Sequence, residues 1–182
     1  MEREDDLPLV ERCRHGDRKA FATLVARYQG PLYNAAYRVL GNIEDARDVT
    51  QGVFLKIAER LDEYDPKFKF FSWIYRIAIN DSLNLLRRNG RDEPFDDEDA
   101  LPGPDSTNPE WKASEAELSR HVQVALMGMK AEDRVVITLR HFSGCSYLEI
   151  AQVLDLDERT VKSRLFEARQ RLRGLLKGLH DA

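Results

Sequence analysis

Apolar positions recur at three- and four-residue intervals along most of this chain, and no stretch alternates convincingly at the period of a strand. Phe21, Leu24, Val25 and Tyr28 share one face of a predicted helix. Gly30-Pro31 is read as the end of that helix and the start of the next. Leu32, Ala35, Ala36, Val39 and Leu40 carry the second helix to Gly41. Asn42 then stands as an N-cap, with Asp45 three positions on. Ala46, Val49, Val53, Ile57 and Leu61 continue as a long apolar stripe. Asp65-Pro66 breaks the pattern, and Ser72 is the expected cap of a helix running to about Arg88. After an interruption, helices are expected near 112–127, 131–142, 146–154 and 157–178, with Gly144 separating the second from the third. The expected fold class is all-α, and no repeat of solenoid period is present.

The interruption is DEPFDDEDALPGPDSTNPE, residues 92–110, with eight acids, no bases and four prolines. Prolines stop helices and like charges repel, so the expectation is a flexible acidic linker over 92–111. It divides the chain into two small helical domains, 1–91 and 112–182. It also changes the meaning of the net charge of −4, because residues 67–91 and 158–180 each carry +5. A uniformly acidic chain would avoid nucleic acid, whereas two basic zones about an acidic tether would not.

The second basic zone contains DERTVKSRLFEARQRLR, Asp157 to Arg173. On a helical wheel Val161, Leu165, Ala168, Leu172, Leu175 and Leu176 occupy an arc of about 100°. Arg159, Lys162, Arg169, Arg173 and Lys177 fall in another sector with Ser163 and Gln170, and Phe166 lies at its centre. A solvated face gains nothing from a phenylalanine there. Just upstream, Ile150, Ala151 and Leu154 suit a first helix, Leu156 plugs a turn and Val161 anchors the second helix. Asp155 occupies the turn position usually given to glycine, and Asp157 caps the second helix. This is helix-turn-helix spacing. In that geometry Arg159, Lys162, Ser163 and Phe166 meet base edges in the major groove. Arg169, Arg173 and Lys177 are better placed for phosphates.

The first basic zone opens on YDPKFKFFSWIY, Tyr64 to Tyr75, which holds six of the sixteen aromatic residues. Trp73 and Phe71 are expected to be mostly buried. Phe68, between Lys67 and Lys69 in a loop, is harder to bury and suits stacking on an unpaired base. In the helix that follows, Arg76, Asn80, Asn84 and Arg87 share the sector opposite the apolar face. Asn reads adenine edges and Arg holds phosphate.

Other chemistries find little support. No apolar run is long enough to span a membrane, and MEREDD lacks the apolar core of a secretory signal, so the protein is expected to stay in the cytoplasm. Cys13 and Cys145 are far apart and expected to be reduced. The four histidines are scattered, and neither a phosphate-cradling glycine loop nor metal-ligand spacing is present. No catalytic residue, metal or cofactor is therefore expected, and the protein is not read as an enzyme.

DARDVTQGVFLKI (45–57), FFSWIYRIAIN (70–80), SYLEIAQVL and TVKSRLFEARQRLR, in that order, resemble regions 2 and 4 of the extracytoplasmic-function (ECF) group of bacterial RNA polymerase sigma factors. The resemblance runs from about Ala20 to Leu176 and leaves only the linker unaligned. It implies a transcription initiation factor that binds core RNA polymerase, directs it to promoters and helps open the DNA. Asp45, Asp48, Gln51 and Phe54 would meet the β′ clamp helices. Lys67, Phe68, Lys69, Phe70, Trp73, Arg76, Asn80, Asn84 and Arg87 would hold the opened −10 element, with one base flipped. Arg159, Thr160, Lys162, Ser163, Arg164, Phe166, Arg169 and Arg173 would contact the −35 element, with the same domain resting on the β flap. The linker would thread toward the active-site channel, and an anti-sigma factor would clamp both domains.

Three departures stand out. Gly52 occupies a position where relatives usually carry Glu, Lys130-Ala131 replaces a Leu-Pro pair, and Glu167 follows Phe166 where a base is frequent. The alternative is a stand-alone helix-turn-helix regulator that never engages polymerase. That reading leaves the aromatic loop and the 45–57 stripe without a use. A purely structural adaptor is a third reading, and it predicts no salt-dependent DNA binding.

Overall fold

Asp17 starts the longest helix of the N-terminal half by accepting hydrogen bonds from the backbone N–H groups of Lys19 (2.9 Å) and Ala20 (3.1 Å). The computed structural model describes residues 5–91 and 111–180, and among these it contains eight α-helices and no strand. They are α1 (Leu7–Arg14), α2 (Arg18–Leu40), α3 (Ile43–Arg60), α4 (Phe70–Arg88), α5 (Trp111–Met127), α6 (Ala131–Ile137), α7 (Tyr147–Leu154) and α8 (Glu158–His180). A short 3-10 turn, Leu61–Glu63, ends α3, and a π turn, Thr138–Phe142, extends α6. The expected linker lies outside the described residues except for Trp111, where α5 begins.

The break expected at Gly30-Pro31 does not occur, and α2 runs through Pro31. Proline removes one helical hydrogen bond and costs up to about 3 kcal/mol in a helix interior. The pattern on either side explains why α2 tolerates it. Leu24, Tyr28, Leu32, Ala35, Ala36 and Val39 form one unbroken buried face, while Pro31 is exposed. Packing of that face fixes the helix on both sides of the defect. Ser72 is not a cap either. Helix α4 begins after Lys69, and Ser72 is buried inside it. By contrast the Oδ1 of Asn42 accepts from the Asp45 N–H at 3.0 Å, as the spacing predicts.

Helix α1 carries no strong sequence signal, yet it anchors the loop before α4. Buried Asp6 accepts hydrogen bonds from Arg27 and from the Tyr28 hydroxyl. Arg14 donates to the carbonyls of Leu61 (3.3 Å) and Tyr64 (2.7 Å).

The two halves pack against each other. One apolar cluster includes Leu32, Val53, Ile74 and Ile79 from the N-terminal half with Val135, Leu139, Ile150 and Val161 from the C-terminal half. Helix α4 packs against α7, and α2 against the α5–α6 region. Arg38 lies 4.5 Å from the centre of the Phe142 ring and donates to Gln123 (3.1 Å) and Ser119 (3.1 Å) across this seam. A second cluster, Leu126, Met129, Val136, Ile137, Leu165 and Ala168, holds α5, α6 and α8 together.

Replacing exposed Pro31 by alanine restores an N–H opposite the Arg27 carbonyl. Pro31→Ala is expected to raise the unfolding free energy by about 1–3 kcal/mol in chemical denaturation. No stabilisation would mean that α2 is not helical at this point.

Candidate nucleic-acid and partner interfaces

The C-terminal interface is built from its turn. Ser146 and Glu149 cap α7 reciprocally: the Glu149 N–H donates to Ser146 Oγ (3.1 Å), and the Ser146 N–H donates to Glu149 Oε2 (2.8 Å). Asp155 ends α7 in the left-handed region at φ 56°, and its N–H returns to the Ala151 carbonyl. Leu156 N–H also reaches that carbonyl, at 3.0 Å. Asp157 caps α8 through the Thr160 N–H and hydroxyl, both at 2.7 Å. These bonds hold the Asp157 carboxyl below its usual range, so it stays charged at neutral pH. Asp155 and Asp157 therefore take the positions their sequence places imply.

Helix α8 then buries Val161, Leu165 and Ala168 and leaves Arg159, Lys162, Ser163 and Arg173 exposed. Phe166 is 63% exposed among them. Lys162 lies 3.6 Å from Glu158 and 5.5 Å over the Tyr147 ring, which fixes its stem without covering its charge. Arg169 donates from Nε to His141 Nε2 at 3.1 Å. Burial, then Arg169 and Arg140, lower the His141 pKa, which favours the neutral ring that accepts this bond. Thr160 and Arg164 are half-buried beside this face. With Ser163, Glu167 and Arg171 they line a polar cleft of about 540 Å³ against the α5–α6 turn. Glu167 meets Arg171 at 3.2 Å, and Arg171 also holds buried Asp133 at 2.5 Å.

In the N-terminal half the loop before α4 is shaped by a turn and a tether. Asp65 Oδ1 accepts from the Lys67 N–H at 2.9 Å, and its carbonyl accepts from the Phe68 N–H at 3.1 Å. The Tyr64 hydroxyl donates to the Phe68 carbonyl at 2.6 Å. The result leaves Phe68 50% exposed between two exposed lysines. Phe71 is buried and Trp73 half-buried, as expected. Phe70, also among the residues expected at the −10 element, sits inside the core rather than on the surface. It is buried, with its ring centre 5.9 Å from Tyr28, 5.4 Å from Tyr64 and 5.8 Å from Trp73, so it supports the loop rather than facing solvent.

Arg76, Asn80, Asn84 and Arg87 lie on one stripe of α4, within about 80° of arc, and Lys69 precedes the helix as its N-cap. Asn80, Asn84 and Arg87 are exposed. Lys69 and the N-terminal part of the stripe touch α7 but stay largely exposed, Lys69 at 67% and Arg76 at 43%. Lys69 pairs with Glu149 (3.1 Å), the Ser72 hydroxyl donates to Gln152 (2.8 Å), and Arg76 pairs with Asp155 (3.1 Å).

Helix α3 presents a third surface. Asp48 and Gln51 are exposed, Asp45 is half-buried against Arg91 at 3.3 Å, and Phe54 leans on the core. Sequence reading passed over Leu55, which is 66% exposed between Asp48 and Gln51 on the wheel. The signal was present: a large apolar residue outside the Ala46–Val49–Val53–Ile57 stripe. Gly52 shares this surface, and a Cβ there would meet no atom within 4 Å.

A two-domain helical protein with a helix-turn-helix and a second basic, aromatic surface is a DNA-binding protein of composite type. Residues 24–92 match the family model for Sigma-70 region 2, and residues 119–172 match that for Sigma-70, region 4. The chain is 37% identical over 174 residues to the ECF RNA polymerase sigma-E factor of Escherichia coli K12, covering 91% of each. It is 34% identical to the RNA polymerase sigma-H factor of Pseudomonas aeruginosa, covering 93% of each. The solved structure of CnrH, bound to the cytosolic domain of CnrY, superposes with a TM-score of 0.75 at 30% identity, over 96% of this chain and 99% of that one. The fold is also that of the sigma factor RpoE of Bartonella quintana, solved with the anti-sigma factor NepR (TM-score 0.70, 24% identity, 87% of this chain and 98% of that one). The chain belongs to the ECF RNA polymerase sigma factors, a family of transcription initiation factors. Among the described residues no helix is long and apolar enough to cross a membrane, and no cluster of three His, Cys, Asp or Glu is placed to hold a metal.

Because the space beside Gly52 is open, Gly52→Ala is expected to stabilise the protein by about 0.5–1 kcal/mol in denaturant titration. A loss of stability would show that α3 is strained at this position.

Proposed function

We propose that the protein binds core RNA polymerase and directs it to promoters whose −35 element is read by α8 and whose opened −10 element is held by the loop 65–69 and the α4 stripe. The observation that supports this reading best is the pairing, in one chain, of two exposed aromatic residues with different settings. Phe166 lies on the basic face of a capped recognition helix and suits a thymine methyl in the major groove. Phe68 lies in a lysine-flanked loop and suits stacking on an unpaired base. A regulator that only recognises duplex DNA has no use for the second.

Arg159, Lys162, Ser163 and Phe166 read bases in this proposal, and Arg169, Arg173 and Lys177 hold phosphates. Thr160 and Arg164, half-buried where the face borders the side cleft, act on the DNA at its edge. On the polymerase side, Asp48, Gln51 and Leu55 supply an acidic and apolar surface for the β′ clamp helices, with Asp45 steadied by Arg91 and Phe54 filling in from the core. The acidic linker suits a basic channel that otherwise holds nucleic acid. Such a factor works where polymerase works, in the cytoplasm, and an anti-sigma protein clamping both domains is the expected regulator. The observation of CnrH with a bound protein partner supports that expectation.

Run-off transcription with core polymerase, followed by mapping of transcript starts, tests the reading. Failure to form holoenzyme at micromolar concentration would overturn it in favour of a stand-alone regulator. With the promoter mapped, Lys162→Ala is expected to relax −35 selectivity and cost about 1–3 kcal/mol in holoenzyme binding. A loss uniform across sequences would assign Lys162 to phosphate instead. Phe68→Ala is expected to slow promoter opening, followed by fluorescence of a base analogue in the −10 element, far more than holoenzyme assembly. Equal effects on both would make Phe68 a packing residue.

A further inference from the structure

The ring of Phe68 is half exposed and belongs to neither apolar cluster, so its direction depends on the backbone that carries it. Both backbone groups of Phe68 are tied down. Its N–H donates to the Asp65 carbonyl at 3.1 Å, and its carbonyl accepts from the Tyr64 hydroxyl at 2.6 Å. Between them the Lys67 N–H is held by Asp65 Oδ1 at 2.9 Å. The first and third of these bonds arise within the turn, but the second reaches out of the core.

Tyr64 is a firm point from which to hold a loop. Its ring is buried, with its centre 5.4 Å from that of Phe70 and 5.6 Å from that of Trp73. The Arg14 guanidinium lies 5.9 Å from the ring centre and donates through Nη2 to the Tyr64 carbonyl (2.7 Å) and the Leu61 carbonyl (3.3 Å). Its Nη1 is held by Glu11 at 2.8 Å, and α1 itself is fastened to α2 where Asp6 accepts from Arg27 and Tyr28. Burial first, then Asp5 and Asp6, raise the Tyr64 pKa, so the phenol keeps the proton that it donates. A phenylalanine at position 64 would fill the same space in the core and leave the Phe68 carbonyl untied.

We propose that Tyr64 and Arg14 are positioning residues for the −10 contact: Arg14 fixes the Tyr64 backbone, and the Tyr64 hydroxyl fixes Phe68, so that the ring is aimed before DNA arrives. The proposal rests on the assignment of the loop 65–69 to the opened −10 element. Its physical basis is preorganisation. The conformational freedom of the loop is lost on folding rather than on binding, and a stacked base then gains the full contact with Phe68. Neither Tyr64 nor Arg14 touches the base in this arrangement.

The test reads loop order in the free full-length chain and promoter opening in its holoenzyme. Tyr64→Phe is expected to speed amide hydrogen exchange across residues 65–69 about fivefold, with exchange in α2 and α3 unchanged. It is also expected to slow promoter opening about fivefold, read by a fluorescent base analogue in the −10 element mapped by transcription, with assembly on core polymerase unchanged. Arg14→Met acts in the same direction, and Arg14→Lys recovers part of the effect. In a Phe68→Ala background Tyr64→Phe slows opening no further, because the hydroxyl acts through the ring. Unchanged exchange in the Tyr64→Phe protein overturns the proposal. So does full additivity of Tyr64→Phe and Phe68→Ala in the opening rate, which is the mark of a residue that only supports the fold. Slowed opening in Phe68→Ala with the parent rate in Tyr64→Phe overturns the positioning role and leaves the −10 assignment standing. Parent-rate opening in Phe68→Ala overturns the −10 assignment of the ring itself, and the positioning role falls with it.

Discussion

The apolar seam between the two halves is the constraint on which the rest of this structure depends. Helices α2 and α4 from one side and α6 and α7 from the other bury side chains in one cluster, although a long acidic segment separates them in sequence. Neither half has to bury its apolar faces alone, which matters for domains of this size, because small domains bury a low fraction of their surface. The seam also determines what each interface presents. It turns the α8 face outward, with Phe166 and its basic neighbours exposed, while setting α7 on the first turns of α4.

Local physics explains why α8 was legible in the sequence. Its apolar arc, the Asp157 cap and the left-handed Asp155 are short-range features fixed by residues close in sequence. The same holds for the α3 stripe and its Asn42 cap. Expectation failed where long-range packing overrides a local signal. Pro31 reads as a stop, but the continuous buried face of α2 outweighs it. Ser72 reads as a cap, but its hydroxyl is used by Gln152, eighty residues away. Phe70 reads as one more aromatic beside lysines, but Tyr28 and Tyr64 enclose it. The support that α1 gives through Asp6 and Arg14 rests on polar contacts with α2 and the Leu61–Tyr64 turn, and periodicity carries no trace of those.

Charge explains the division of labour among the surfaces. The basic side chains on the exposed face of α8 are tied only loosely, Lys162 to exposed Glu158 and Arg173 to Gln170. Arg171, on the flank, is instead held by buried Asp133 and serves the packing of α6 on α8. Glu167 belongs to that flank through Arg171, so the acid that follows Phe166 is drawn to the edge of the reading face. In the proposed reading of the −35 element, this pairing lessens the repulsion that a carboxylate beside Phe166 would exert on DNA.

The ladder between α4 and α7 follows the same logic in reverse. Its acids are Glu149, which also caps α7, and Asp155, whose left-handed backbone forms the helix-turn-helix turn. Both residues therefore serve the local shape of the helix-turn-helix, and they also carry charge toward Lys69 and Arg76. The turn tolerates Asp where glycine is usual, and that Asp supplies a counter-charge toward Arg76. Arg76 belongs to the stripe that ends in Asn80, Asn84 and Arg87. The packing of the two halves thus engages Lys69 and Arg76, which belong to the basic set proposed for the −10 element.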